Sequence, residues 1–386
     1  MAGTLFTPLA IRGMELKNRI VFPPMGIGSR ALGTGRAGKT LDFWGTLAQG
    51  GAGTVMLGAV SPASLIAGEN LCQSVPVGNY IDDLRRMIDV VHAGGAKFGA
   101  QLWHSDKYPS GLLGPLAPGE DWVAPSATVY RPAEKALPHM PFGENIPMRE
   151  LTLSEIESII SRFGRAAAIL ADIGVDFVEV HLAHEHLPSQ FFSPLTNRRT
   201  DAYGGNLANR MRFGIEYVQA VRSAVGDLLP VWVRFPAEDE PGSGGATLAE
   251  GLVFAAELQK AGADCLDVSV GICGKTSYSA YICPTRKMPT YARLAGAVRE
   301  KVNIPVVAVG RINESDVAEE ILQKGQADLV AIGRQLLCDP FWPQKVLEGR
   351  LDEITYCDCC NTWCWGIGTK GERPKGLCRK GVYLPE

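Results

Sequence analysis

Lys260-Ala261-Gly262-Ala263-Asp264-Cys265 packs a helix end, a glycine, an aspartate and the start of an apolar run into six residues. The same succession returns at Asp172-Ile173-Gly174-Val175-Asp176-Phe177 and at Lys324-Gly325-Gln326-Ala327-Asp328-Leu329. Glycine at a helix end supplies the left-handed cap, and one connector used three times implies one structural unit used repeatedly. Outward from these connectors, short β-branched runs alternate with amphipathic stretches of helical length, the pattern of parallel strands joined by crossover helices. Eight runs qualify as strands: Arg19–Phe22, Thr54–Ala59, Lys97–Leu102, Phe177–Ala183, Val231–Phe235, Cys265–Val270, Pro305–Gly310 and Leu329–Gly333. Helices are expected over Ile81–Ala93, Ser154–Ile173, Asn209–Ala224, Leu248–Ala261, Tyr291–Lys301 and Glu314–Lys324. Eight such units close most simply as an α/β fold of the (β/α)8 TIM barrel type. A doubly wound open sheet is the rival, and it would carry a glycine fingerprint directly after its first strand.

Composition narrows the function. The chain has 386 residues, 46% hydrophobic and 20% charged, with no uninterrupted apolar run of membrane-spanning length. A net charge of −3 and a pI near 6.1 argue against nucleic acid or anionic lipid as the main partner, since both reward concentrated positive charge. A small-molecule substrate is the expectation, with homo-oligomerisation open. The start Met1-Ala2-Gly3-Thr4-Leu5-Phe6-Thr7-Pro8 lacks the basic and apolar regions of a secretion signal, which predicts a reducing cytoplasm and few disulfides among ten cysteines.

Half of those cysteines crowd the end of the chain, in Cys357-Asp358-Cys359-Cys360-Asn361-Thr362-Trp363-Cys364 followed by Cys378. Three thiolates from one tight loop and a fourth from farther along suit a cuboidal iron–sulfur cluster, whose iron corners each need a nearby sulfur. A structural zinc site also takes four thiolates, usually from two separated knuckles, and free thiols or disulfides are the blander use. This spacing divides the chain into an expected barrel, residues 1–350, and a cysteine-rich segment, residues 351–386.

The fourth strand runs out through Val178-Glu179-Val180-His181-Leu182-Ala183-His184-Glu185-His186, which places three of the six histidines at its C-terminal end. That end is the catalytic edge of a barrel. A strand continued to His184 would point it away from His181, whereas a turn after Ala183 would bring the two imidazoles together. Carbonyl or anion binding, proton donation and metal ligation are the open roles, against a structural one. Ser105–Met148, rich in proline and glycine and without periodicity, follows the third strand and is expected to cover the mouth. Gly33-Thr34-Gly35-Arg36-Ala37-Gly38-Lys39-Thr40 matches the P-loop pattern, but loop residues separate it from the preceding strand, so it reads as a chance match.

His181-Leu182-Ala183-His184, the run Gln190 to Gly205, and Asn209-Arg210-Met211-Arg212-Phe213 together resemble the signature of the Old Yellow Enzyme family. Leu5–Leu9, Leu16–Val21, Gln101–His104 and Arg149–Thr152 resemble family segments in the same order, so the likeness runs from Leu5 to Cys378. The nearer match is the iron–sulfur branch that includes 2,4-dienoyl-CoA reductase and trimethylamine dehydrogenase.

The resemblance implies an FMN-containing barrel. It assigns flavin contacts to Pro24, Met25 and Gly26 on the first strand and to Ala59 on the second. Gln101 would read the pyrimidine ring, Arg234 would stand beside the N1/O2 edge, and Gly310-Arg311 with Gly333-Arg334 would hold the phosphate. Glycine admits backbone amides and arginine supplies forked donors to a phosphate, which makes the last assignment physically sound. His181 and His184 would hydrogen-bond a substrate carbonyl as negative charge develops on it. Where the family carries a tyrosine proton donor, this chain has Glu185-His186. His186 as an imidazolium titrating near neutrality, with Glu185 raising its pKa, is one replacement, and Tyr108 or Tyr278 is another. Cys273 stands where the dienoyl-CoA branch carries a histidine.

In the same way Cys357, Cys360 and Cys364 fit the branch's first three 4Fe-4S ligands, with Cys378 as the fourth and Cys359 as a neighbour. Branch members often continue into an FAD- and NAD(P)H-binding region beyond the point where this sequence ends, Glu386. The expected electron source is therefore a separate reductase or electron-transfer protein, or NAD(P)H acting directly on FMN. The leading expectation is an ene-reductase acting on an α,β-unsaturated carbonyl or thioester. An amine dehydrogenase or demethylase of the trimethylamine dehydrogenase type, and a zinc-bearing ligand-binding barrel, are its rivals.

Overall fold

All three repeated connectors make one and the same clamp in the computed structural model, which describes residues 3–26, 32–35, 37–66, 77–104, 121–130, 146–272, 291–360, 364, 378 and 380–381. Asp176 accepts the N–H of Phe98 at 2.8 Å and gives its own N–H to the Phe98 carbonyl at 2.9 Å. Asp264 does the same to Val231 and Asp328 to Val306, at 2.8–2.9 Å throughout. In each case the aspartate opening one strand ties down the foot of the strand before it. Gly174, Gly262 and Gly325 hold φ of +94°, +110° and +65°, the left-handed conformation that the connector predicts.

Eight parallel strands close into a barrel in chain order: β1 (Ile20–Met25), β2 (Thr54–Val60), β3 (Lys97–Leu102), β4 (Phe177–His181), β5 (Val231–Pro236), β6 (Cys265–Ser269), β7 (Val306–Val309) and β8 (Leu329–Ala331). The helices include α1 (Gly38–Gln49), α2 (Val77–Ala93), α3 (Leu153–Asp172), α4 (Leu207–Val225), α5 (Leu248–Lys260), α6 (Ala292–Arg299), α7 (Ser315–Gln323) and α8 (Trp342–Leu347), with two short ones at Leu187–Phe192 and Arg334–Cys338. Thr152 with Glu155, and Thr247 with Glu250, form capping boxes that start α3 and α5 by satisfying otherwise orphaned amides. The fold is thus the (β/α)8 barrel expected from the sequence.

Two layers of apolar packing hold it. One fills the space between strands and helices; Trp44, Phe98, Phe163 and Tyr217 are fully buried there. Each such side chain contributes about 1.5–3 kcal/mol. The second plugs the barrel's floor. An antiparallel hairpin of Leu9–Ile11 and Met14–Leu16 seats Ile11, Met14 and Leu16 against Val21, Met56, Phe177, Trp232, Cys265, Val307 and Leu329.

Some elements escape sequence reading. Helix α1 begins at Gly38, inside the P-loop-like run, because Leu41, Phe43, Trp44 and Leu47 give that stretch a buried face. Within Ser105–Met148, read as a loop without periodicity, Val123–Ala124, Thr128–Tyr130 and the beginning of Ile146–Glu150 contribute to a three-stranded sheet, from strands too short to display alternation. Among the described residues no helix is long and apolar enough to cross a membrane.

Candidate active site

Strand alternation builds the site upward from the plug. Phe177, Trp232 and Cys265 point into the barrel, so the residues two farther along, Glu179, Arg234 and Asp267, point inward above them. Two farther again come His181, Pro236 and Ser269, at the mouth.

The middle tier is charged and buried. Gln101 pairs in register with Glu179, and its Nε2 donates to Glu179 Oε1 at 2.6 Å. Arg234, 7% exposed, stands 3.5 Å from Asp267 through its Nε, which makes no hydrogen bond among the described residues. Burial pushes the Glu179 carboxyl well up, Asp267 adds to this, and Arg234 with the Gln101 amide opposes it. Burial also raises Asp267, against the pull of Arg234.

The upper tier is a histidine cluster shaped by a turn. Strand β4 ends at His181, and His184 and Glu185 both take φ of +63°, which folds the chain back over the mouth. Of the two courses open from the sequence, a continued strand or a turn after Ala183, the chain takes the turn. His184 donates its backbone N–H to Val270 at 3.1 Å, and Gln190 Nε2 secures the Glu185 carbonyl at 2.8 Å. The His181 and His184 rings meet edge to face at 4.8 Å.

Their hydrogen bonds define the tautomers. His181 Nδ1 accepts the Ala183 amide at 3.3 Å, so the His181 proton sits on Nε2 and points to His184 Nδ1, 3.2 Å away. The His184 proton then sits on Nε2, directed at Ser269 Oγ at 2.6 Å. Both rings are neutral, because burial, reinforced by the neighbouring histidines and Arg234, drives their pKa values well down.

His186 departs from expectation. It is buried, packs edge-on against Trp103 at 5.0 Å, and is pushed to about 3 by burial and by His104. The expected imidazolium titrating near neutrality is replaced by a neutral ring. Tyr108, Tyr278 and Cys273 lie outside the described residues.

The residues expected to hold a flavin come together around one rim. Pro24, Met25, Ala59, Gly310, Arg311, Gly333 and Arg334 are half-buried and Gly26 is exposed. A Cβ on Gly333 would lie 3.0 Å from Met25 Sδ, and one on Gly58 would lie 2.2 Å from Pro24 Cβ, so β8, β1 and β2 crowd at this point. Gly310 and Arg311 are consecutive left-handed residues after β7, φ +114° and +57°. Buried Arg234 Nε in the barrel and this glycine- and arginine-bearing rim suit the anionic and hydrogen-bonding parts of FMN.

The cysteine segment is stitched beside that rim. Cys357 N–H donates to Gln335 Oε1 at 2.9 Å, and Gln335 Nε2 returns to the Thr355 carbonyl at 3.0 Å. The Cys359 thiol is held at about 6 by its hydrogen bond with Cys357 and, against burial, by Arg334 and Arg311. Cys378 is likewise held at about 6, by Cys338. Among the described residues no group of three His, Cys, Asp or Glu converges on a metal position. The donor chemistry of Cys357, Cys360, Cys364 and Cys378 nevertheless suits a thiolate-bound cluster, and the Cys359 amide already donates to Cys357 Sγ at 3.3 Å.

Sequence reasoning missed Ser269, Trp103, Glu179 and Asp267. The signal for the two acids was present: a charged residue on the inward face of an otherwise apolar strand. The signature run after β4 is scaffold. Arg199, 4% exposed, bonds the Pro125 and Leu151 carbonyls at 2.8 and 2.7 Å, and Asn197 bonds those of Phe191 and Tyr203 at 2.7 Å.

Comparison with known proteins adds a second line. Residues 4–353 match the NADH:flavin oxidoreductase / NADH oxidase family. The chain is 37% identical over 366 residues to an NADH oxidase of Thermoanaerobacter brockii, covering 94% of this chain and 53% of that protein. It is 31% identical to a cinnamate reductase of Clostridium sporogenes, covering 94% and 55%. A solved complex of 2-naphthoyl-CoA reductase with 2-naphthoyl-CoA superposes with a TM-score of 0.79 at 27% identity, over 94% of this chain and 55% of that one. The chain therefore spans about half the length of these relatives.

Proposed function

The chain belongs to the NADH:flavin oxidoreductase / NADH oxidase family, and from that premise we propose that it is an FMN-dependent ene-reductase acting on an α,β-unsaturated carbonyl or thioester compound. FMN, when bound, supplies hydride for transfer to an electron-poor carbon. Pro24, Met25, Gly26, Ala59, Gln101 and Arg234 would hold its ring, and Gly310, Arg311, Gly333 and Arg334 its phosphate.

One observation carries the reading: two neutral, buried histidines are chained at the mouth of the barrel, where His181 gives its N–H to His184 and the N–H of His184 is directed at Ser269. Neutral donors stabilise a carbonyl oxygen as it gains charge, without binding anions indiscriminately. A carbonyl at the mouth would take over the His184 Nε2–H that Ser269 now accepts. Protonation of the α-carbon falls to His186 or Tyr108. A neutral imidazole is a weaker acid than a phenol, which favours Tyr108.

Residues 1–350 would form the flavin barrel and residues 351–386 a segment in which Cys357, Cys360, Cys364 and Cys378 bind a 4Fe-4S cluster. Electrons would come from a separate reductase or from NAD(P)H, with the protein in the cytoplasm. Support for the cluster is the donor set and its position against the rim.

The test is anaerobic. Protein with chemically reduced flavin is mixed with 2-cyclohexenone or a cinnamoyl thioester, and reoxidation is followed at the flavin absorbance band. Bleaching of the oxidised protein by methylamines, with no reoxidation by enones, would transfer the assignment to an amine dehydrogenase.

A further inference from the structure

Glu179 is a buried acid that the chemistry above does not use. It is fully buried between the apolar plug and the mouth, where an apolar side chain like Phe177 beneath it would cost nothing in desolvation. Its Oε2 has no hydrogen-bond partner among the described residues, and its Oε1 has Gln101 Nε2 at 2.6 Å. The described hydrogen bonding of this carboxyl therefore goes to one side chain, the one proposed above to hold the flavin ring.

A glutamine amide presents an acceptor on one edge and donors on the other, and a half-turn exchanges them without changing its shape. Nothing in the glutamine itself selects one orientation. Glu179 stands directly across the β3–β4 ladder and its Oε1 accepts from Gln101 Nε2, which turns the amide nitrogen toward the acid and leaves the glutamine oxygen on the other side. The reversed amide would withdraw the donor that Glu179 Oε1 now accepts and leave that acceptor unpaired in a buried site. We propose that Glu179 is a positioning residue that locks the Gln101 amide, so that Oε1 and the remaining Nε2–H are offered to the N3–H and adjacent carbonyl of the flavin pyrimidine ring. This inference rests on the FMN reading above and adds to it the residue that sets the hydrogen-bonding sense of the seat.

The surrounding charges make the idea testable without losing the fold. Glu179 and Asp267 share Arg234 as the described cation, so Glu179→Gln leaves Arg234 and Asp267 as a one-to-one pair. Volume is kept, and the carboxyl is replaced by an amide that can meet Gln101 in either orientation.

The experiment removes FMN from the protein and titrates it back, by quenching of flavin fluorescence, against N3-methyl-FMN, which lacks the N3–H. Wild type should bind FMN more tightly than the methylated form by roughly 10- to 100-fold, the range for leaving a buried acceptor unpaired. Gln101→Leu fixes the residual preference due to methyl bulk alone. E179Q should fall to within about threefold of that baseline, and adding E179Q to Q101L should leave the ratio unchanged, as a coupled pair requires. An E179Q ratio equal to wild type while Q101L lowers it overturns the proposal, as does an E179Q effect that persists without Gln101. Wild-type protein that binds neither flavin defeats the FMN reading instead, and the two failures are distinct. Should E179Q fail to fold, as read by thermal melting, Glu179→Met makes the same comparison.

Discussion

His184 sits between two partners, with Nδ1 3.2 Å from His181 Nε2 and Nε2 2.6 Å from Ser269 Oγ. The three side chains come from β4, the turn after it and the end of β6, so the orientation of the N–H groups at the mouth depends on a neighbouring strand as well as on the histidines. His184→Ala should slow single-turnover reoxidation of reduced flavin by an enone about 100-fold or more, the usual loss for one oxyanion donor. Ser269→Ala, which leaves the His184 N–H without its acceptor, should cost about 1–3 kcal/mol in urea unfolding. An S269A protein as stable as wild type would mean that the histidine chain does not depend on that hydroxyl.

Acid should weaken the fold through the same cluster. The folded-state pKa of His186 is depressed to about 3 from 6.5, so the unfolded chain binds a proton that the folded one refuses between those values. Its contribution is full above pH 6.5 and is lost as pH falls toward 3, at up to about 1.4 kcal/mol per pH unit. Glu179 and Asp267, raised by burial, act in the opposite sense, so the comparison must isolate His186. His186→Phe should show a shallower loss of stability than wild type between pH 6 and 4, by about 1 kcal/mol per unit at most. Parallel pH–stability curves for the two proteins would contradict the buried neutral ring.

Asp239 ties three loops together. It accepts Ser193 Oγ at 2.5 Å and the backbone amides of Ala246 and Ile272 at 2.7 Å each, and is 1% exposed. Asp239→Ala leaves three donors unmet, two of them buried, and should destabilise by about 3 kcal/mol; Asp239→Asn, which retains one acceptor oxygen, should lose less. Chemical denaturation of both variants decides the order.

Two helical glycines should respond with opposite signs. A Cβ at Gly251 in α5 would stand 1.8 Å from the Ala237 carbonyl oxygen, and backbone cannot yield as a side-chain tip can. Gly251→Ala should therefore lose about 1–3 kcal/mol despite its better helix propensity. Gly78 in α2 has nothing within 4 Å of that position, and Gly78→Ala should gain about 0.5–1 kcal/mol. Thermal melts of the pair would expose any error in this packing.

Cofactor content separates the metal readings. Anaerobically purified protein should contain iron, acid-labile sulfide and FMN, and Cys357→Ser or Cys378→Ser should lose the iron while keeping FMN. Zinc in place of iron, in protein that lacks the brown cluster absorbance, would exclude the cluster.

The barrel was legible because its signals are local. A glycine followed two or three residues later by an aspartate marks each of three connectors, β-branched runs mark the strands, and both depend only on residues close in the chain. The aspartates' task was not legible, since Asp176, Asp264 and Asp328 each clamp a residue on the preceding strand, 78, 33 and 22 positions away. His181 and His184 could be picked out by residue type and by their place at a strand end. Their neutral state, the turn that joins them and the part played by Ser269 came from burial and from β6. The His186 expectation went astray for the same reason: adjacency to Glu185 in sequence suggested a raised pKa, whereas enclosure against Trp103 and His104 lowers it. What sequence alone determined about this protein is the order of its strands and the residue types at its mouth, because covalent neighbours and side-chain period carry that information. Which side chains share a proton, lose their water or set one another's direction was decided only by closing the barrel, since burial and distance across strands exist only in three dimensions.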